Sequence, residues 1–184
     1  MREAEFLETA LRNPFNRAIT ARLPELALPD VWLVSGALFQ TVWNVQTGRQ
    51  PDFGIRDYDV FYFDPDTSWD AEDAAIRRAQ SLFADLGITV ELRNQARVHL
   101  WYEEKFGKPY PPLHRATDGI DRFLMPCAQV GLNASAQIYA PRGFDDIAAM
   151  IIRPNYTANF HPDRYREKAL HWHARWPELT ILPA

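Results

Sequence analysis

Residues 54 to 64, GIRDYDVFYFD, place two carboxylates, Asp57 and Asp59, at the start of an apolar run. The alternation of side chains predicts a β-strand, in which residues 57 and 59 lie on one face with their Cα atoms about 6.5 Å apart. Two carboxylates at that spacing repel each other, and burial removes part of their hydration. The pair is therefore costly unless a positively charged group lies beside it.

The composition is that of an ordinary globular chain. Its 184 residues are 47% apolar and 13% aromatic, which fits one domain, residues 1–184, with a substantial core. A net charge of −4 argues against non-specific DNA binding, which requires a basic surface. Cys127 is the only cysteine, and no segment has the pattern of a signal peptide or a membrane span. We therefore expect a cytoplasmic protein without a membrane partner.

Helix and strand patterns alternate on both sides of the carboxylate pair. Before it, VWLVSG at 31–36 has the pattern of a buried strand ending in a small-residue turn, and the helix that follows ends near Gly48. After it, a helix over 69–86 ends at Gly87, and ITVEL at 88–92 gives a third strand. This order predicts an α/β fold of α+β character, built on a mixed sheet.

The rest of the chain gives weaker signals. Residues 95–106 allow either a strand or a helix, and Gly107 as a C-cap favours the helix. The cluster PYPP at 109–112 must be a loop. We further predict helices over 2–12, 14–22, 118–125 and 144–152 and from residue 162, and strands over 129–133 and 136–140.

Several interpretations of the carboxylate pair compete. DYDVF resembles the nucleophile motif of haloacid-dehalogenase-like phosphatases, but there the apolar strand precedes the first Asp, whereas here it follows. An EF-hand loop requires more oxygen ligands and a central glycine. The pair could also simply begin a strand and meet Arg or Lys partners. A divalent ion would offset the repulsion, because Mg²⁺ prefers carboxylate and phosphate oxygens, and Glu91 offers a third carboxylate on the next strand.

The order of the parts resembles the polymerase-β-like nucleotidyltransferase superfamily. SG at a strand-to-helix turn, DYD on the next strand and VEL on a third strand follow its order over residues 14–92. LPDVWLVSGALFQTVWN, GIRDYDVFYFD and RNQARVHLWYEEKFG are similar to a bacterial nucleotidyltransferase family long known as a domain of unknown function. The resemblance implies a polymerase-β-like core over about 14–92 and a C-terminal extension with additional helices over about 93–184. Two departures are the order Ser-Gly and the 21 positions from Gly36 to Asp57.

The resemblance implies roles for individual residues. It makes Asp57, Asp59 and Glu91 the catalytic acids, and Asp57 and Asp59 the ligands of Mg²⁺, with Mn²⁺ also possible. It places the nucleotide phosphates at Ser35 and Gly36, where a glycine lets the backbone come close and a helix N-terminus faces the anion. From their positions beside these elements, further candidates for nucleotide binding are Arg56, Arg97 and Lys105.

These assignments predict a metal-dependent nucleotidyltransferase. It would transfer a nucleoside monophosphate from an NTP to an unidentified acceptor, which could be a small molecule, a tRNA or a protein. The alternative is a catalytically inactive nucleotide-binding or protein-interaction module with the same fold. The presence of all three acids favours the enzyme, because a degenerate copy is expected to lose at least one.

Overall fold

The computed structural model describes all residues, 1–184, as eight α-helices and seven β-strands joined by short loops and 3₁₀ turns. The helices are α1 (Glu3–Ala10), α2 (Pro14–Arg22), α3 (Gly36–Gln46), α4 (Trp69–Leu82), α5 (Tyr102–Phe106), α6 (Ala116–Ile120), α7 (Asp145–Ala148) and α8 (Pro162–His173). The strands are β1 (Trp32–Val34), β2 (Asp57–Tyr62), β3 (Thr89–Asn94), β4 (Gly131–Leu132), β5 (Ile138–Tyr139), β6 (Ile151–Ile152) and β7 (Thr180–Ile181).

A five-stranded mixed sheet organises the molecule. Its strand order is β3-β2-β1-β4-β5, with β2 and β3 parallel and the other neighbours antiparallel. The predicted mixed α/β fold is therefore confirmed. The strands β4 and β5 come from the C-terminal half of the chain, so that half completes the same sheet, while β6 and β7 form a separate parallel pair.

The strand β2 divides its side chains between two environments. Tyr58, Val60 and Tyr62 are buried on one face, against the helical layer that contains α3 and α4. Asp57 and Asp59 lie on the other face, which remains partly open. The period of two in a strand explains this division, because successive side chains point to opposite faces.

The helix α3 lies at the centre of the core and is buried over most of its length. Trp43 donates from its indole nitrogen to the carbonyl of Ile147 at 3.1 Å, and its ring packs edge-on against Trp176 at 5.7 Å between centroids. Asn16 donates to the carbonyl of Ala37 at 2.7 Å, which ties α2 to α3. These contacts join the N-terminal helices, the central helix and the C-terminal segment.

Three parts of the C-terminal half differ from the sequence prediction. The helix predicted over 118–125 is α6, which ends at Ile120. The helix predicted over 144–152 ends at Ala148, and Met150 adopts a left-handed φ of 54° before β6. The strand β6 pairs with β7, which lies almost thirty residues further along the chain. No local sequence pattern therefore predicts either strand. The predicted helix over 95–106 is present as a 3₁₀ turn, Gln95–Leu100, followed by α5. No helix has both the length and the apolar character needed to cross a membrane.

Candidate active site

Three carboxylates share the open face of the sheet. Asp57 and Asp59 share this face of β2, and the parallel register of β2 and β3 sets Glu91 directly opposite Asp59. The parallel pairing is possible because the connection through α4 carries the chain back to the end of the sheet at which β2 begins. The structure thus brings together the three acids that the sequence analysis singled out.

Asp59 has the most strongly perturbed electrostatics of the three. Burial is the largest cause, and the nearby charges of Asp57 and Glu91 act in the same direction, so the pKa of Asp59 is raised to about 7. Lys168 and Arg93 act against this rise because a positive charge favours the carboxylate. The raised pKa of Asp59 therefore reflects burial first and the two neighbouring carboxylates second.

The strand-to-helix turn at Ser35–Gly36 lies beside this acidic face. Val34 is the partner of Asp59 in the β1–β2 register, so the next residues of the chain pass alongside Asp57. Ser35 has φ 56° and ψ −119°, a conformation that glycine adopts readily and serine does not. The carbonyl of Val130 holds the turn by accepting from the Ser35 N–H at 2.8 Å, while the hydroxyl makes no capping bond. The hydroxyl and the first N–H groups of α3 are thus available to an anion.

A row of basic side chains on α8 faces the acids. We call Arg164, Lys168, His171 and Arg175 the α8 row; the first three are on the helix and Arg175 follows it. Lys168 is close enough to Asp59 to lower the pKa of that carboxyl against the effect of burial. Burial, and then the charges of Arg175 and Arg56, lower the pKa of His171. The sequence analysis missed this row, although its spacing of four, three and four residues is the signal of one helix face.

The loop between α3 and β2 sets the position of Asp57. Asn44 is fully buried on α3, and its amide donates to the carbonyls of Pro51 at 3.0 Å and Phe53 at 2.8 Å. Arg175 donates to the carbonyl of Gly54 at 3.0 Å from the α8 side. Hydrogen bonds from α3 and from the residue after α8 therefore fix the part of this loop that leads into Asp57.

The predicted nucleotide-binding residues fall into two groups. Arg56 directly precedes β2 and lies near the acids, since its charge is felt by His171. Arg97 is mostly buried and pairs with Glu72 of α4 at 3.2 Å, on the side of β3 away from Glu91. Lys105 lies over the rings of Trp101 at 5.6 Å and Phe106 at 5.3 Å. The structure thus gathers Arg56 at the acids and leaves Arg97 and Lys105 apart from them.

The acidic face has the donor chemistry that a divalent cation requires. No group of three or more His, Cys, Asp or Glu side chains is arranged closely enough to hold a metal ion by itself. The carboxylates of Asp57 and Asp59 nevertheless share one face, and their like charges destabilise each other. Such a pair fits an ion whose remaining ligands come from substrate phosphates and water, as is usual for Mg²⁺.

Comparison with solved structures identifies the class of fold. A protein whose NMR structure was described as revealing a CCA-adding enzyme head domain superposes with a TM-score of 0.78 at 24% identity, covering 98% of this chain and 96% of that one. A CCA-adding enzyme in complex with CTP superposes with a TM-score of 0.58 at 13% identity, covering 99% of this chain. This chain spans 43% of that enzyme. The fold is thus that of a nucleotidyltransferase head domain.

The family model is more specific than the fold. Residues 21–181 match the model of a nucleotidyltransferase family, and the chain belongs to that family. Among curated proteins, no relative matches the chain. The resemblance inferred from the sequence is thereby confirmed at the level of the family.

Proposed function

We propose that this protein is a metal-dependent nucleotidyltransferase that moves a nucleoside monophosphate from an NTP to an acceptor hydroxyl and releases pyrophosphate. The observation that carries the proposal is the convergence of Asp57, Asp59 and Glu91 beside the Ser35–Gly36 turn. Family membership supports the reaction class. One structure of similar fold was solved with CTP, so CTP is the first nucleotide to test.

Asp57 and Asp59 are the residues that would hold the metal ion, Mg²⁺ or alternatively Mn²⁺. Once bound, such an ion would supply positive charge to the phosphate oxygens of the nucleotide. The raised pKa of Asp59 supports this assignment, because a nearby cation favours the charged carboxylate. Neutralising the acid pair and binding the triphosphate would therefore be one event.

The turn and the basic side chains would position the triphosphate. Ser35 would donate its hydroxyl, and the first N–H groups of α3 would donate to phosphate oxygens, aided by the positive end of the helix dipole. Arg56 and Arg175 lie at the same end of the sheet face and would bind the departing pyrophosphate. We do not include Arg97 and Lys105 in this site, because Arg97 is paired with Glu72 and Lys105 packs on Trp101 and Phe106.

Glu91 would accept the proton of the attacking hydroxyl at its carboxylate. Its side chain is about half exposed and lies opposite Asp59, which leaves room for an acceptor. Arg93 lies 3.7 Å from the Glu91 carboxylate and would orient it. The chain's own contribution is then positioning, charge balance and one proton transfer, as expected for this type of chemistry.

Binding and transfer can be measured separately. Titration calorimetry with CTP and Mg²⁺ should show an affinity that falls about 10- to 100-fold in Asp57→Asn and Asp59→Asn, because each substitution removes one metal ligand. Asp163→Asn, which changes an exposed carboxylate on α8, should leave the affinity unchanged. Unchanged affinity in both site variants would contradict the proposal.

Transfer distinguishes an enzyme from an inactive module. With labelled NTPs, Mg²⁺ and cell extract, the wild-type protein should pass label to a small molecule, a tRNA or a protein, and Glu91→Gln should bind CTP but transfer about 100-fold more slowly. Binding without any transfer would favour the catalytically inactive alternative.

The expectation of a cytoplasmic location, drawn from the single, unpaired Cys127, stays a prediction.

A further inference from the structure

The acidic face continues into a cavity of about 200 Å³ beyond the carboxylates. Phe61 lies two residues after Asp59 on β2, and Arg93 lies two residues after Glu91 on β3, so both side chains extend the same face. The cavity is closed by α5, α6, α8 and their adjoining loops. We call it the aromatic pocket and define it by Phe61, Arg93, Tyr102, Tyr110, Arg122 and Arg164.

The aromatic pocket combines ring surfaces with positive charge. The rings of Tyr102 and Tyr110 lie 4.4 Å apart between centroids. Arg122 lies over the Tyr110 ring at 5.9 Å, and Arg164 donates to the Tyr102 hydroxyl at 3.3 Å. Lys168 also lines the pocket, and no Asp or Glu does. Aromatic side chains pack against flat ligands, and Arg122 and Arg164, which have no carboxylate partner, attract anions, so the chemistry selects a flat ring that carries a negative group.

The pocket and the phosphate turn lie at opposite ends of the acids. The Ser35–Gly36 turn adjoins the beginning of β2, whereas Phe61 and Arg93 are near the ends of β2 and β3. The α8 row runs the same way, with Arg164 in the pocket, Lys168 near Asp59 and Arg175 at the loop before Asp57. From Arg164 to Arg175 the rise along a helix is about 16 Å, enough for a triphosphate and a second small molecule end to end.

This geometry bears on the direction of the reaction. In phosphoryl-group transfer the attacking and leaving oxygens lie roughly in line on either side of the phosphorus. If the pyrophosphate leaves toward the turn, the attacking hydroxyl must come from the pocket side. Glu91 adjoins that side through Arg93, which lies 3.7 Å from its carboxylate and also lines the pocket.

We propose that the aromatic pocket is the acceptor site and that the acceptor is a small molecule with a flat ring, an anionic group and a hydroxyl. This rests on the proposed function. The acceptor oxygen forms a bond to the α-phosphorus, the bond from that phosphorus to the bridging oxygen breaks, and pyrophosphate leaves with the electron pair. The hydroxyl proton passes to the Glu91 carboxylate. The anionic group binds Arg122 and Arg164, and the ring lies against Tyr102 and Tyr110.

Phenyl phosphate is a suitable probe, because it carries the ring and the charge without a nucleoside. Binding can be followed by NMR through the indole N–H of Trp101, which also lines the pocket. The wild-type protein should bind phenyl phosphate more tightly than inorganic phosphate or phenol. Affinity should fall about tenfold in Arg122→Met and in Arg164→Met, as expected for loss of a charge-assisted contact. Arg166→Met, an exposed control on the same helix, should bind as the wild type does.

Several outcomes decide the matter. Binding of phenyl phosphate to the CTP·Mg²⁺ complex, and to Asp59→Asn, supports a second site beside the nucleotide. Competition between phenyl phosphate and CTP would overturn the acceptor role, because the pocket would then hold the base. Equal affinity in folded Arg122→Met and Arg164→Met, checked by circular dichroism, would overturn the pocket itself.

The same binding experiment distinguishes failure of the acceptor-site proposal from failure of the proposed nucleotidyl transfer. A short RNA strand that outcompetes phenyl phosphate would overturn the small-molecule class. Failure of all four NTPs to bind while phenyl phosphate still binds would overturn the proposed nucleotidyl transfer and the acceptor role with it, while leaving the anion site in place.

Discussion

Asp59 is the residue of the candidate site whose ionisation most clearly lowers the stability of the folded protein. Burial and the neighbouring charges of Asp57 and Glu91 raise its pKa to about 7 from a normal value near 4. The unfolded chain loses this proton at lower pH than the folded chain does. Stability contributed by the group is therefore present below about pH 4, falls as pH rises toward 7 and does not return above that.

Replacing this carboxylate should stabilise the protein without metal. Asp59→Asn keeps the shape and removes the charge, so at pH 8 it should raise the free energy of unfolding by about 1–3 kcal/mol. At pH 4 the gain should nearly vanish, since the wild-type residue is then protonated in the folded state. Thermal unfolding at both pH values, in the presence of a chelator, gives the measurement. A variant that is less stable than the wild type at pH 8 would contradict the raised pKa.

Ser35 carries strain of a different kind, in its backbone. Its φ of 56° with ψ of −119° is a conformation that a Cβ disfavours, so Ser35→Gly should stabilise the fold by about 1 kcal/mol. Ser35→Ala removes the hydroxyl but keeps the Cβ, and we expect it to gain nothing. Urea denaturation of the three proteins compares them. Equal stability of Ser35→Gly and Ser35→Ala would show that the turn stores no strain.

At the scale of elements, the helices and strands that form the candidate site were easier to predict from the sequence than the elements around them. The elements β1, α3, β2, α4 and β3 could be predicted because each has a local signal: an apolar alternation, a Gly C-cap or a Ser N-cap, such as Ser68 before α4. The strands β6 and β7 could not, because two-residue strands depend on pairing with a distant segment. The α8 row has helical spacing, but the sequence does not show that α8 packs near β2. Only that packing brings Lys168 close to Asp59.

The loop between α3 and β2 depends on one buried side chain. Asn44 donates to two loop carbonyls and accepts from the Trp176 indole at 2.8 Å, so Asn44→Ala leaves the buried indole N–H and two partly buried carbonyls without partners. We expect a loss of about 2–4 kcal/mol in the free energy of unfolding. Gln46→Ala, two residues along and exposed, is the matched control in chemical denaturation. A loss as small as that of the control would mean that the loop is held mainly by Arg175.

At the scale of the whole molecule, we expect the two halves of the chain to fold as one unit. The strand β4 pairs with β1 in the middle of the sheet, and Tyr165, Trp172 and Trp176 fill the core beside α3. A polymerase-β-like core and a C-terminal extension are thus convenient names for parts of one packing unit. The sequence predicts a strand over 129–133, which contains β4, but no local pattern shows that this strand pairs with β1.

A truncation tests this interdependence. A chain that ends at residue 160 lacks α8 and β7, and we expect it to lose cooperative unfolding and near-ultraviolet circular dichroism, because large apolar core residues are removed. Deleting only residues 183–184, which are exposed, should change neither signal. A cooperative transition in the shorter chain would show that the first half folds alone.

The α8 row also has a consequence for how substrates arrive. With a net charge of −4 the molecule repels anions at long range, yet the α8 row presents basic side chains to them. At physiological ionic strength electrostatic fields decay over about 8 Å. An approaching polyphosphate therefore interacts with the local positive charge of the α8 row rather than with the net charge of the molecule. Capture of the nucleotide should therefore slow as salt is added, as it does for strongly basic proteins, although an isoelectric point of about 5.7 suggests the opposite.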